Sequence, residues 1–192
     1  RMARMGVLFV VAAGNEGQDA CNGTPAHLAE VITVGATNRS DYLWSHSNYG
    51  RCVDILAPGS DILSASFSDT SAGLEISGTS MAAPHVAGVI ARYIQHMCEP
   101  PMPTQIRAWL TSTATKGKVT VPSTTTDALL YKTCDSNPPA TDCGDGGEGG
   151  DGGDGGRDDN GAGATFAGLQ GGWARTLMVI VTGVVTLNIL LA

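Results

Sequence analysis

Apolar residues along this chain gather in short runs separated by small and polar ones. Gly6 to Ala13 (GVLFVVAA) is unbroken by any polar side chain, and Val31 to Ala36 (VITVGA) and Val53 to Leu56 (VDIL) are similar though briefer. Runs of this length, punctuated by Gly, Asn, Asp and Pro, predict buried strands. From Ser80 to about Gln95 the apolar positions change to helical spacing, and a second helix is predicted over about Thr104 to Ser112. Strands alternating with helices point to an α/β fold built on a mostly parallel, doubly wound sheet in three layers.

The pattern stops near residue 132. From Thr133 to Gly172 the chain is mostly Gly, Asp and small residues, which cannot bury enough apolar surface to offset the entropy of ordering, so a flexible linker is expected. The formal net charge of −7 has its main source here, where Asp142, Asp145, Glu148, Asp151, Asp154, Asp158 and Asp159 are opposed only by Arg157. That balance argues against a nucleic-acid partner. The rhythm of Asp145, Glu148, Asp151 and Asp154, each followed by two glycines, lacks the proline of collagen and is shorter than a calcium-binding nonapeptide. A solvated spacer is the expectation.

Residues 173–192 form the last division, apolar almost without interruption from Thr176 onward. As a helix, the run from Thr176 would reach about 25 Å, short of the roughly 30 Å of a bilayer's hydrocarbon core. Small residues at Asn160, Gly161 and Ala162, a spacer, and an apolar end with no charge after it fit a glycosylphosphatidylinositol attachment signal better than a retained transmembrane helix. Either way the expected location is the cell surface or the exterior, with a membrane as partner. Arg1 is not an initiator and no signal peptide precedes the first apolar run, so the sequence reads as part of a longer chain. The triplets Asn22-Gly23-Thr24 and Asn38-Arg39-Ser40 agree with a secretory route.

Two strings carry the candidate chemistry. Gly78-Thr79-Ser80-Met81-Ala82-Ala83-Pro84-His85-Val86-Ala87-Gly88 opens the predicted helix with a serine. Unpaired N–H groups and the positive end of the helix dipole would face any anion forming beside Ser80. Gly78 leaves room for an approaching peptide, and Pro84 is expected within the first turn, where proline is tolerated. The other string, Val10-Val11-Ala12-Ala13-Gly14-Asn15, runs a buried strand into a small-residue turn bearing one amide. Acyl transfer puts negative charge on a carbonyl oxygen, and the Asn15 side-chain N–H together with the Ser80 backbone N–H would form a hole for it. Each string alone also describes an ordinary capped helix or turn.

Together, in this order and about 65 residues apart, the strings resemble those of subtilases, specifically the proteinase K branch. Between them, Asp19-Ala20-Cys21-Asn22, Val31 to Thr37, Ser47-Asn48-Tyr49-Gly50, Val53 to Gly59 and Asp61 to Ser64 resemble successive segments of that branch. The resemblance covers roughly residues 3 to 131. It implies a serine endopeptidase acting on polypeptides, with Ser80 as nucleophile and Asn15 as oxyanion donor. Ala12, Ala13 and Gly14 would wall the pocket for the residue before the cleaved bond, and Gly78 would border bound substrate.

The resemblance further implies a structural calcium ion held by the Ala29 and Val31 carbonyls and the Asp54 carboxylate, an all-oxygen set suited to a hard cation. No cofactor is implied for catalysis, and a monomer is expected. Cys21 and Cys52 coincide with a disulfide of some bacterial members, Cys134 and Cys143 form a further candidate pair, and Cys98 is left over.

The family places its aspartate and histidine before the serine, and neither motif is present. His27, His46, His85 and His96 lie outside any His-Gly-Thr-His setting. His85 is read as a packed helix residue, the other three as loop or helix-end residues. The expectation is the carboxyl-terminal part of a catalytic domain over residues 1–132, inactive by itself, with base and orienting carboxylate encoded upstream. The rival expectation is a catalytically silent, anchored extracellular binding protein that keeps the fold.

Overall fold

The strand that begins as Leu8-Phe9-Val10-Val11-Ala12 is buried along most of its length, and two other apolar segments pair beside it in the same direction. The computed structural model describes residues 7–66, 73–95, 97, 99 and 101–131, with the backbone of 177–180 and 186–189. Strands β1 (Phe9–Ala12), β2 (Ile32–Thr37) and β3 (Ile55–Pro58) are parallel, with Val10 opposite Ile32 and Val34 opposite Ile55. All three lie close to the predicted runs. Every residue of β2 is buried, as expected of a central parallel strand covered on both faces.

One face of this sheet presents Val10, Ile32, Val34, Ala36, Ile55 and Ala57 to the helices. Helix α1 (Thr79–Ile94) answers with Ala82, Ala83, Val86, Ala87 and Ile90, and α2 (Pro103–Thr113) with Ile106 and Leu110. The alanines let α1 approach the strands closely, while fully buried Ile32, Ile55 and Ile90 each contribute about 1.5 to 3 kcal/mol of apolar burial. Tyr93 and Trp109 stack with ring centroids 3.7 Å apart, joining the two helices. The opposite face is covered by a smaller cluster of Ala13, Ala20, Ala26, Val53, Leu56 and Val119. The architecture is α/β with a mostly parallel sheet.

Three features depart from the sequence reading. An antiparallel pair, β4 (Ile62–Ala65) and β5 (Gly73–Ile76), leads into α1 and is largely exposed. Pro84 is the sixth residue of α1 rather than a first-turn residue, because the helix begins at Thr79. Lacking an N–H, Pro84 leaves the Ser80 carbonyl without its intrahelical donor. In the apolar end, the described segments are strands rather than helix: β6 (Leu177–Ile180) runs parallel to β1, and β7 (Thr186–Ile189) returns antiparallel to β6. A run rich in Val, Leu, Ile and Thr satisfies either period, and the free edge of β1 supplies a partner for strand. Among the described residues no helix is long and apolar enough to cross a membrane. The linker at 133–172, the Cys134 and Cys143 pair, and the side chains of His96 and Cys98 lie outside the described residues.

Candidate active site

The turn after β1 is wound around one buried side chain, Asn48. The Ala13 N–H still donates to the Val34 carbonyl at 2.9 Å, and then Gly14 turns the chain at φ +104°. Only glycine fits there, since a Cβ would lie 2.3 Å from Asn48 Nδ2. Asn48 Nδ2 donates to the Ala13 carbonyl at 3.0 Å and to Glu16 Oε2 at 2.8 Å. Its Oδ1 accepts from the Glu16 and Gln18 N–H groups at 3.1 and 3.0 Å, and its own N–H donates to the Gly14 carbonyl at 2.9 Å. A fully bonded buried amide fixes the backbone around it.

Asn15 stands on this turn, exposed, and is tied to the first residue of α1. Its Oδ1 accepts from the Thr79 N–H at 2.9 Å and from Thr79 Oγ1 at 2.8 Å, while the Gly14 N–H donates to Thr79 Oγ1 at 3.2 Å. A backbone N–H can only meet the amide oxygen, so these bonds decide which way the amide faces and leave Nδ2 on the other side. Among the described residues nothing accepts from Nδ2. A Cβ placed on Gly78 would lie 3.8 Å from Asn15 Nδ2 and 3.7 Å from the Ser80 nitrogen, so two N–H donors border one space beside Gly78. Ser80, the second residue of α1, is half-buried, and among the described residues its hydroxyl has no hydrogen-bond partner.

The structure therefore brings Asn15, Gly78 and Ser80 together from residues far apart in sequence. Ala12 and Ala13 are buried, and the Ala13 side chain packs into the smaller core cluster, so these two residues offer an approaching peptide their backbone. Sequence patterns single out neither Thr79 nor Asn48 as a positioning residue, although both lie in strings that carry the family resemblance. A cavity of about 450 Å³ near Thr37, Asp41, Ser60 and Leu63 is bordered by none of the predicted site residues.

His85 is exposed on α1 rather than packed, its Nδ1 2.7 Å from the Met81 carbonyl. An i−4 carbonyl suffices to hold it on the outer face. His27 lies beside the Gly23 carbonyl at 2.8 Å and His46 beside Ser45 Oγ at 3.1 Å, both exposed. Among the described histidines none bonds to Ser80.

The three oxygens named for calcium do converge, at the ends where β2 and β3 begin, and a guanidinium lies among them. Arg107 of α2 donates through Nη1 to Asp54 Oδ1, and through Nη2 to the Val31 carbonyl and, at 2.9 Å, to the Ala29 carbonyl. Asp54 Oδ2 accepts from the Thr33 N–H at 2.8 Å. Burial pushes the Asp54 carboxyl above its ordinary pKa, outweighing the Thr33 N–H and the Arg107 charge that pull it down. With Arg107 in place the donor set does not fit a calcium ion: a dication would meet a like charge, and each protein oxygen already accepts a hydrogen bond. Cys21 and Cys52 form a disulfide with Cα atoms 5.3 Å apart, tying the loop after Asn15 to the segment before β3.

The subtilase family model matches residues 1–137. The chain belongs to the subtilase family. Among curated relatives, the alkaline serine exoprotease A of Vibrio alginolyticus is 47% identical over 140 residues, covering 72% of this chain and 24% of its relative. The extracellular serine proteinase of Thermus sp. (strain Rt41A) is 56% identical over 90 residues, 47% of this chain and 22% of the relative. A solved cold-adapted subtilisin-like serine proteinase is 47% identical with a TM-score of 0.65, covering 69% of this chain and 48% of that one. This subtilase chain thus spans about a quarter of the length of those curated relatives and about half of the solved one. Membership accounts for the shared strings and for the parallel sheet with α1 against it.

Proposed function

We propose that these residues are the serine-bearing part of a secreted serine endopeptidase. The supporting observation is the amide of Asn15, oriented by Thr79 so that its Nδ2 borders the same space as the Ser80 N–H. In the reaction, the Ser80 Oγ attacks the peptide carbonyl carbon as its proton passes to a histidine. The carbonyl oxygen becomes an oxyanion that accepts from Asn15 Nδ2–H and the Ser80 N–H. Collapse of this intermediate breaks the C–N bond, the amine leaves with the proton, and water then hydrolyses the acyl-enzyme by the same steps.

The histidine and its aspartate are contributed by residues outside the 192 of this chain. Substrates are polypeptides, with the backbone of Ala12, Ala13 and Gly14 lining the pocket for an apolar side chain before the cleaved bond. The disulfide and the sequons support export. The apolar stretch 173–192 would serve as a surface-attachment signal on a monomeric enzyme. Phospholipase release of the protein from cells tests that attachment, and retention after treatment argues for a membrane-embedded segment.

The hydrolase reading is tested by a serine-directed fluorophosphonate on the full-length protein. Labelling of the peptide containing Ser80, absent in Ser80→Ala, is the expected result. No labelling in protein shown to be folded leaves an anchored binding protein with a subtilase fold.

A further inference from the structure

The geometry points to Arg107 as a built-in cation that replaces a metal ion at the head of β2 and β3, so that this corner of the molecule is assembled without calcium. The Ala29 and Val31 carbonyls and Asp54 Oδ1 aim at one position, and a divalent ion is one solution to such an arrangement. Here the chain supplies its own. The guanidinium is planar, permanently charged and carries several donors, so one side chain reaches a carboxylate and two carbonyls at once. Arg107 reaches these partners across 76 and 78 residues of sequence for the carbonyls and 53 for Asp54, and thereby fixes α2 to the starts of two adjacent parallel strands.

Occupation by guanidinium and by calcium is mutually exclusive, because the same oxygen lone pairs serve both and the two cations repel. Both partners are largely shielded, with side-chain exposures of 30% for Arg107 and 22% for Asp54, so removing one charge leaves the other in want of a counter-ion. Deleting the guanidinium alone therefore uncovers a latent oxygen site of one carboxylate and two carbonyls. Calcium would fill it with water completing the shell, at the millimolar affinity usual for extracellular sites with few charged ligands.

Calcium stoichiometry and unfolding temperature, measured on the full-length protein with and without calcium chloride, test the replacement. Arg107→Ala is expected to bind one calcium ion more than the parent and to gain several degrees of unfolding midpoint on calcium addition beyond any shift in the parent. Arg107→Ala/Asp54→Asn is expected to lose both gains. Asp54→Asn alone, which keeps the guanidinium, is expected to leave the parent's stoichiometry unchanged, and this arm stands even if Arg107→Ala fails to fold. Loss of a calcium ion in Asp54→Asn would show that the parent holds metal at this position and would overturn the replacement. So would a folded Arg107→Ala that takes up no extra ion.

Discussion

At the scale of single residues, the candidate site depends on how one amide is aimed. Asn15 Oδ1 is committed to Thr79 by two hydrogen bonds, which makes Thr79 a positioning residue for the proposed oxyanion donor. Asn15→Ala is expected to lower kcat by about 100- to 1,000-fold, the usual loss for one oxyanion donor, with KM little changed. That range was measured on the oxyanion-hole asparagine of a subtilisin and is carried over to Asn15. Thr79→Val keeps the branched shape and removes only the hydroxyl, so about a tenfold loss of kcat is expected from a less well-held amide. The two losses should not add: in the Asn15→Ala background, Thr79→Val should cost almost nothing more. Full additivity in that double-mutant cycle would mean Thr79 acts on something other than Asn15.

The serine, the amide and the small residues beside them are legible in sequence because each sits in a short string. Thr79, Asn48 and Arg107 are not, since each acts through partners 30 or more residues away that no local pattern reveals. Arg107 is the clearest case. No motif singles it out, and only the packing of α2 against the starts of β2 and β3 gives it three acceptors.

Among the elements, apolar periodicity locates β1, β2, β3, α1 and α2 well because all five bury a continuous face. It fails where burial does not decide the structure. The β4 and β5 pair is short and exposed, with Leu63 at 71% of its full accessibility, and so carries no strand alternation. The final apolar run is expected from sequence to be an attachment signal or a membrane segment, and its described segments pair as strands. The disulfide joins elements in the opposite way, by covalent closure over 31 residues. Replacing Cys21 and Cys52 together by serine should lower stability by about 3 to 4 kcal/mol on loop-entropy grounds. Urea unfolding of the full-length protein measures this. Unchanged kcat in the folded double variant is also expected, because the turn at Asn15 is held by Asn48 and Thr79 rather than by the bridge.

For the molecule as a whole, the decisive question is what a subtilase sheet can do with the proposed nucleophile and oxyanion donor when no described histidine bonds to Ser80. Among the described residues Ser80 Oγ has no hydrogen-bond partner, so at neutral pH it remains a neutral, weakly nucleophilic alcohol. Donors for the oxyanion still lower the barrier, but in a serine protease loss of the serine–histidine couple costs about a million-fold in kcat. The 192-residue chain alone is therefore expected to hydrolyse a peptide anilide about a million-fold more slowly than the full-length protein, and Ser80→Ala should change that residual rate little. The edge of β1 bears on the same comparison. β6 pairs there with Phe9 and Val10 only, which leaves the positions nearest the site, Val11 and Ala12, without a partner from β6. An additional strand in the full-length protein would compete with β6 for that edge, and its arrival should be visible as slower amide exchange at Ala12, whose N–H faces that edge, and not at Val11, whose N–H faces β2 as that of Ala13 does. Turnover by the isolated chain at an ordinary protease rate would mean that a base is present among its own residues, and the assignment of the histidine to a separate segment would have to be abandoned.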